Sequence, residues 1–293
     1  MADPRRRLTT NVAGDFFVDE SCIDCDACRW IAPATFDEAR GHSRVHRQPA
    51  TPDEVHRAEL AVIACPTGSI GVTAKHDLAA AARAFPVHVD GNVHHCGYHA
   101  ESSFGAASWL IVRPDGNVLV DSPRFVPTLV KRLEEMGGVK TLFLTHRDDV
   151  ADHAKFAEHF GCTRVLHEAD VDDDTRAVEH VVNGEEPVAL APDLLVIPTP
   201  GHTAGSACLL HHPKTGESHL FGGDHIAYSP ERGHPYGFRS ACWYSWPEVV
   251  KSMERLAKFG FEWILPGHGR LCHFTKDEMA KQMARCVEWC RAA

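Results

Sequence analysis

The chain has no stretch approaching the ~18 consecutive apolar residues that a membrane-spanning helix needs. Arg5, Arg6 and Arg7 crowd the start, but no apolar h-region or small-residue cleavage site follows, so no secretory signal is expected. Basic charge is also short. Thirty Lys and Arg face 40 Asp and Glu, for a net charge of −10. That excludes a duplex nucleic-acid binder, which needs a basic surface to meet phosphates. No dinucleotide-binding or flavodoxin-like fingerprint and no Gly/Ser-rich tether interrupts the sequence. The cysteines number 11, an odd count, so complete pairing within the chain is impossible. Without an export signal, clustered cysteines read as metal ligands in a reducing compartment. The expectation is a cytoplasmic enzyme acting on a small molecule, with no nucleic-acid or membrane partner.

What is present is metal-binding chemistry. The 293 residues include 21 His, an excess that gains meaning only where His sits at ligand spacing. Cys22-Ile-Asp-Cys25-Asp-Ala-Cys28 is a C-x2-C-x2-C run, and Cys65-Pro66 offers a fourth thiolate from a distant segment. In the two-cluster ferredoxin signature, C-x2-C-x2-C-x3-C-P, the fourth Cys serves the other cluster. Here that position is Ala32, followed by Pro33. Counted back from Cys65, the other cluster's thiolates would fall at Ala61, Ala58 and Val55. One of two cluster sites has therefore been lost. Thr51-Pro-Asp-Glu54 is a capping box with Pro at the first helical position, and it predicts a helix through Ala64. Zinc with four cysteine ligands is the alternative, but zinc ribbons and fingers pair their cysteines two by two. The three-plus-one pattern favours iron–sulfur. The segment resembles single-cluster [4Fe–4S] bacterial-type ferredoxins. That resemblance implies a βαβ-type pseudo-repeat over residues 8–75, one cluster on Cys22, Cys25, Cys28 and Cys65, and one-electron transfer with a redox partner protein.

Residues 76–84 are Ala-rich and read as a short helix or linker. From 85 to 293 the pattern predicts strands at 108–113 and 117–121 around Pro114-Asp-Gly, then strands alternating with helices. Ser245-Trp-Pro-Glu248 and Thr275-Lys-Asp-Glu278 open two late helices. Polar residues close the apolar runs: Thr145-His146, Asp152-His153 at the next helix start, Pro200-Gly-His202, Gly223-Asp224 and Pro266-Gly-His268. In this order they resemble the metallo-β-lactamase superfamily, of glyoxalase II type. The resemblance implies an αββα sandwich, so the whole chain is expected to be α+β. It also implies one or two divalent metal ions, zinc or iron. Site 1 would take His146, a second His and His202; site 2 would take Asp152, His153 and His268. Asp224 would bridge them, with Asp152 and Asp224 as the catalytic pair.

The first motif departs from the family's H-x-H-x-D-H. His146-Arg-Asp-Asp-Val-Ala-Asp152-His153 is two residues too long, and no second His falls in either register. Asp148, or Asp149, could replace it and preserve a two-metal hydrolase of thioesters or esters. Alternatively, His146, His202 and Asp224 form a 2-His-1-carboxylate set, which suits mononuclear iron. That set resembles the persulfide dioxygenases, while a carboxylate at the second position resembles the flavodiiron proteins. An attached electron carrier fits such an oxidoreductase. A third class is a non-catalytic module that docks on a redox partner. Asp148 and Asp149 as plain helix caps fit any of these. His94-His95-Cys96 and Tyr98-His99 read as a surface loop, with the substrate mouth as the alternative. Tyr228, Tyr236 and Phe238 read as an active-site loop. Cys286 and Cys290 share a stripe with Met279 and Met283 and read as buried core.

Overall fold

The computed structural model describes residues 2–293. The chain forms two compact units, one of residues 1–112 and 123–138 and the other of residues 113–122 and 139–293. Their divide falls at Val112, beyond the Ala-rich stretch at 76–84. Among the described residues no helix is long and apolar enough to cross a membrane.

The first unit opens with β1 (Phe16–Val18), α1 (Ala27–Ile31), β2 (Phe36–Glu38), β3 (Ser43–Val45), α2 (Pro52–Ala64) and β4 (Ile70–Val72). This is βαβ written twice. The outer strands β1 and β4 pair antiparallel, Phe16 opposite Val72, and the inner strands β2 and β3 form a hairpin, Phe36 opposite Val45. Helix α2 starts where its capping box requires. The Thr51 hydroxyl accepts from the Glu54 N–H, and the Glu54 carboxylate accepts from the Thr51 N–H. Ala32, Ala58 and Ala61, where the lost thiolates would stand, are buried in the core instead. The unit continues through α3 (Leu78–Ala84), the antiparallel strands β5 (Val87–Asp90), β6 (Val93–His95) and β7 (Trp109–Ile111), and α4 (Pro127–Glu135).

His95 and His99 are buried in this unit rather than on a surface loop. Their Nε2 atoms lie 2.8 Å apart, and His99 Nδ1 donates to the Gly105 carbonyl at 2.6 Å. A carbonyl only accepts, so in the neutral pair the proton between the rings belongs to His95. Trp30, two residues beyond Cys28, packs edge-on against His95 and stacks on Trp109.

The second unit has two sheets. One holds β8 (Val118–Val120), β9 (Thr141–Phe143), β10 (Thr163–His167) and β11 (His180–Val182), all parallel, with α5 (His153–Phe160) beside β10. The other runs β12 (Val188–Ala191), β13 (Leu194–Pro198), β14 (Ala207–His211), β15 (His219–Gly223), β18 (Trp263–Pro266) and β19 (Cys272–His273). Between β15 and β18 in the chain lie a small hairpin, β16 (Ala227–Ser229) with β17 (His234–Tyr236), and helix α6 (Trp246–Leu256). Helix α7 (Lys276–Ala292) ends the chain. Val249, Met253 and Leu256 of α6 and Met279, Met283, Cys286 and Cys290 of α7 share one core with Ile197, Leu210, Leu220 and Ile264 of the second sheet. The two sheets meet where β9 ends. The Thr145 carbonyl accepts from the Ala207 N–H, and Gly223 packs against the Thr145 side chain so closely that a Cβ there would collide. The residues that follow β9 and β13 and the end of β15 lead to His146, His202 and Asp224.

Candidate metal centres

In the first unit the loop 22–28 turns twice through left-handed backbone, at Asp24 (φ 62°) and Asp26 (φ 65°). Aspartate tolerates that region better than most side chains. The buried guanidinium of Arg29 holds both turns, Nε to Asp26 Oδ1 at 2.5 Å and Nη2 to Asp24 Oδ1 at 3.1 Å. Cys65 stands at the C-terminal end of α2, and its sulfur accepts from the Ser69 N–H at 3.3 Å. All four cysteines line one narrow pocket together with Val18, Ile23 and Ile70. Gly105 (φ 88°) closes over it; a Cβ there would stand 2.7 Å from Cys25 Cβ and 2.9 Å from its sulfur. Burial pushes the Cys25 thiol up to about 12, and burial raises Cys22 and Cys28 as well. Such thiols release their protons only to a strongly bound cation. Four soft sulfur donors with no imidazole or carboxylate among them fit an iron–sulfur cluster. None of the chain's cysteines is in a disulfide.

The second centre lies wholly in the second unit. His146 Nε2 is 4.0 Å from Asp148 Oδ2, 4.0 Å from Asp149 Oδ2 and 3.9 Å from Asp224 Oδ2. His202 Nε2 is 3.5 Å from Asp148 Oδ2 and 3.8 Å from Asp224 Oδ2. Two donor sets result, His146–Asp148–His202 and His146–Asp149–Asp224, and they share His146. His268 Nδ1 lies 2.7 Å from Asp224 Oδ1. His146 Nε2, Asp149 Oδ2 and both His202 nitrogens are buried with no hydrogen-bond partner among the described residues. Unpaired buried polar atoms cost about 1–3 kcal/mol each. Donors 3.5–4.0 Å apart are too distant to bond one another but suit a shared cation. The residues therefore fit a metal.

The electrostatics agree. Burial takes His146 down to about 4, leaving it neutral, the form that ligates. Burial opposes ionisation of Asp224, yet the adjoining His268 holds it well below the usual carboxylate range. Burial and the neighbouring Asp224 and Asp121 push Asp149 well above that range. A cation replaces the proton that Asp149 would otherwise keep. Beneath the donors, Asp121 accepts from the Thr145 N–H at 2.8 Å and from its hydroxyl at 3.0 and 3.1 Å. The Thr145 oxygen in turn lies 3.0 Å from His146 Nδ1. With Asp121 ionised, this chain keeps the proton on Nδ1 and turns the Nε2 lone pair toward the cluster. Burial, opposed by the hydrogen bonds from Thr145, raises Asp121 to about 8. Asp170 ties two ligand loops, accepting from the Arg147 and Gly205 N–H groups at 3.0 and 2.8 Å and from the Thr203 hydroxyl at 2.5 Å.

Asp152 and His153, expected as ligands and Asp152 as catalytic, do not join the cluster. Asp152 pairs with Lys155 at 2.7 Å, and His153 lies buried against Arg164 at 3.4 Å. The short 3-10 turn at Arg147–Asp149 aims Asp148 and Asp149 inward, and Ala151 (φ 32°) then redirects the chain before α5 begins. His146, Asp148, His202 and Asp224 come together as expected residues, with His268 against Asp224. Asp121 and Asp170 escaped sequence reasoning, and from sequence Thr145 reads only as the end of an apolar run. Asp121 had a usable signal, since it follows β8 as Asp224 follows β15. Asp170 had none.

Residues 18–72 match the family described as the 4Fe-4S single cluster domain of Ferredoxin I. Residues 18–72 are thus similar to a one-cluster [4Fe–4S] domain, with Cys22, Cys25, Cys28 and Cys65 available to hold a cluster. Over the remaining fold, the chain is similar to DIM-1 metallo-β-lactamase, solved after exposure to ceftazidime. The TM-score is 0.53 and the identity 18%, over 70% of this chain and 96% of that one. That likeness establishes the metallo-β-lactamase fold and with it the sandwich of two sheets between helices. In sequence the chain is 29% identical over 167 residues to hydroxyacylglutathione hydrolase of Xanthomonas campestris pv. campestris (strain B100), covering 56% of this chain and 58% of that protein. It is 30% identical over 120 residues to the hydroxyacylglutathione hydrolase of Salmonella newport (strain SL254), covering 40% of this chain and 45% of that one. The chain thus spans about half the length of the curated relatives it matches.

Proposed function

We propose that the second unit is a metal-dependent hydrolase of thioester or ester substrates and that the first unit carries one electron at a time on its cluster. The observation that carries the hydrolytic reading is the double donor set, His146–Asp148–His202 and His146–Asp149–Asp224. The similarity to hydroxyacylglutathione hydrolases, which act on a thioester, supports it. Metal bound there supplies Lewis acidity and a nucleophilic hydroxide near neutral pH. This chain's residues do the rest. Asp224, kept ionised by His268, accepts a hydrogen bond from the attacking water and orients it. Asp121 and Thr145 fix the His146 ring. Asp148, at the exposed edge, is the residue nearest an entering substrate.

A second reading rests on one observation. His146, His202 and Asp148 alone make a 2-His-1-carboxylate set, the pattern suited to non-haem iron and oxygen. An attached electron carrier favours it. The third reading, a module that only docks on a redox partner, leaves the orphaned ligand atoms unexplained.

The deciding experiment uses anaerobically purified full-length protein, with metal analysis followed by thiol release from S-acyl substrates. Thiol release at a catalytic rate with zinc or iron in the second unit is the expected result. Oxygen consumption dependent on the reduced cluster, with no thiol release, would replace hydrolysis with the oxidoreductase reading. Neither activity would leave the docking module.

A further inference from the structure

Among the described residues five large apolar side chains are exposed, and two of them, Trp243 (65%) and Tyr244 (58%), are consecutive. They stand beside the metal centre. The Trp243 and Tyr244 N–H groups both donate to the His202 carbonyl, at 2.9 and 3.1 Å, and the Ser245 N–H donates to Gly201 O at 3.0 Å. The Cys242 thiol also donates to Gly201 O, at 3.2 Å. Gly201 is itself wedged against Val249 of α6, with no room for a Cβ. The Trp243 indole meets the His202 ring edge-on, 6.3 Å between centroids at 62°. The aromatic pair is thus fixed to the loop that supplies a ligand.

The same histidine meets the exposed edge of the centre. Asp148 is its most exposed donor, with 44% of its side chain accessible, and it lies 3.5 Å from His202 Nε2. His202 thus touches both that donor and the Trp243 indole. The charges beyond Tyr244 are already committed. Lys251 pairs with Glu248 at 2.7 Å, and Arg255 bonds the carbonyls of Pro198 and Glu185. The cleft that Tyr244 shares with Glu248, Lys251 and Arg255 thus holds its charges in ion pairs and backbone hydrogen bonds. What remains is two rigid aromatic faces exposed to water, whose burial is favourable.

We infer that Trp243 and Tyr244 are specificity-determining residues that bind an apolar or aromatic substituent next to the scissile bond. The substrate class is then thioesters or esters carrying a hydrophobic group rather than small polar ones. This rests on the hydrolytic reading for the bond that is cleaved, but not for the group that is bound.

The test separates the two. Non-hydrolysable thioether analogues of S-acyl-N-acetylcysteamine, one S-ethyl and one S-(2-phenylethyl), are titrated calorimetrically against zinc-loaded full-length protein. The phenyl analogue is expected to bind about tenfold more tightly. Trp243→Ala should abolish that preference; Tyr244→Ala should reduce it. Trp243→Phe should retain most of it, which guards against a variant that merely misfolds. Equal binding of the two analogues, or a preference that survives in both alanine variants, overturns the inference. Turnover of the acetyl and phenylacetyl thioesters is measured alongside. Turnover without the preference sinks only the inference, and the preference without turnover sinks only the hydrolytic reading.

Discussion

Asp149 is buried with one carboxylate oxygen unbonded, while Asp152 is tied to Lys155 on the first turn of α5. Asp149→Asn, close in shape but a poor ligand, should weaken zinc binding in the second unit at least about tenfold. Asp152→Asn should leave it within about twofold, since Asp152 pairs with Lys155 and belongs to neither donor set. Competition with a fluorescent chelator measures both. A second residue-scale prediction concerns His76 in the first unit. Its Nε2 donates to Asp15 at 2.6 Å and its Nδ1 to Glu59 at 2.8 Å, so both nitrogens carry protons and the ring is cationic. Burial opposes this charge, but the two carboxylates raise the His76 pKa. A raised histidine stabilises fully below its unfolded value of about 6.5, and the gain is lost as pH rises through the folded value. Asp15 is held down to about 2, with burial opposing the hydrogen bonds from Ala74, His76 and Thr73, so its contribution disappears only in strong acid. His76→Gln should therefore lower stability by about 2 kcal/mol at pH 6, and by clearly less at pH 9. Denaturant melts of the first unit at the two pH values, followed by Trp30 fluorescence, decide this; an equal loss at both would show that His76 acts by packing alone.

At the scale of elements, local signals and long-range ones separate cleanly. Helix α2 is legible because Thr51, Pro52 and Glu54 carry their cap in four consecutive residues. Strands β13 and β14 are legible as apolar runs, and α6 and α7 from their Ser245 and Thr275 caps. The hairpin of β5 and β6 is not, because Val87-His-Val-Asp and Val93-His-His carry too few apolar residues to declare a strand. Its histidines owe their place to partners far along the chain, Trp30 and Trp109 among them. The segment following it bears on the cluster loop through Gly105. Gly105→Ala forces a Cβ into Cys25 at a backbone angle that only glycine holds easily. The expected result is loss of most of the visible cluster absorbance and acid-labile sulfide. Gly91→Ala, also at positive φ but with open space around it, should keep both.

For the whole molecule, each centre draws all its donors from one compact unit: four thiols in the first, imidazoles and carboxylates in the second. Cys25→Ser should therefore bleach the cluster and leave zinc in the second unit at its wild-type level. A carboxylate chelator under anaerobic conditions should strip the second unit without bleaching the first. Metal analysis and the visible spectrum read both arms; loss of both metals in either arm would show that the centres load as one. The sequence by itself determined the spacing of the four clustered cysteines, the helix starts and the strand-end positions of His146, His202 and Asp224. Each is written in residues a few positions apart, where spacing along the backbone sets geometry. Only the tertiary structure decided which carboxylates between 148 and 152 face the centre, since one left-handed residue, Ala151, redirects everything after it. It likewise buried His95 against His99 and left Trp243 uncovered beside His202, because burial depends on which distant segments arrive.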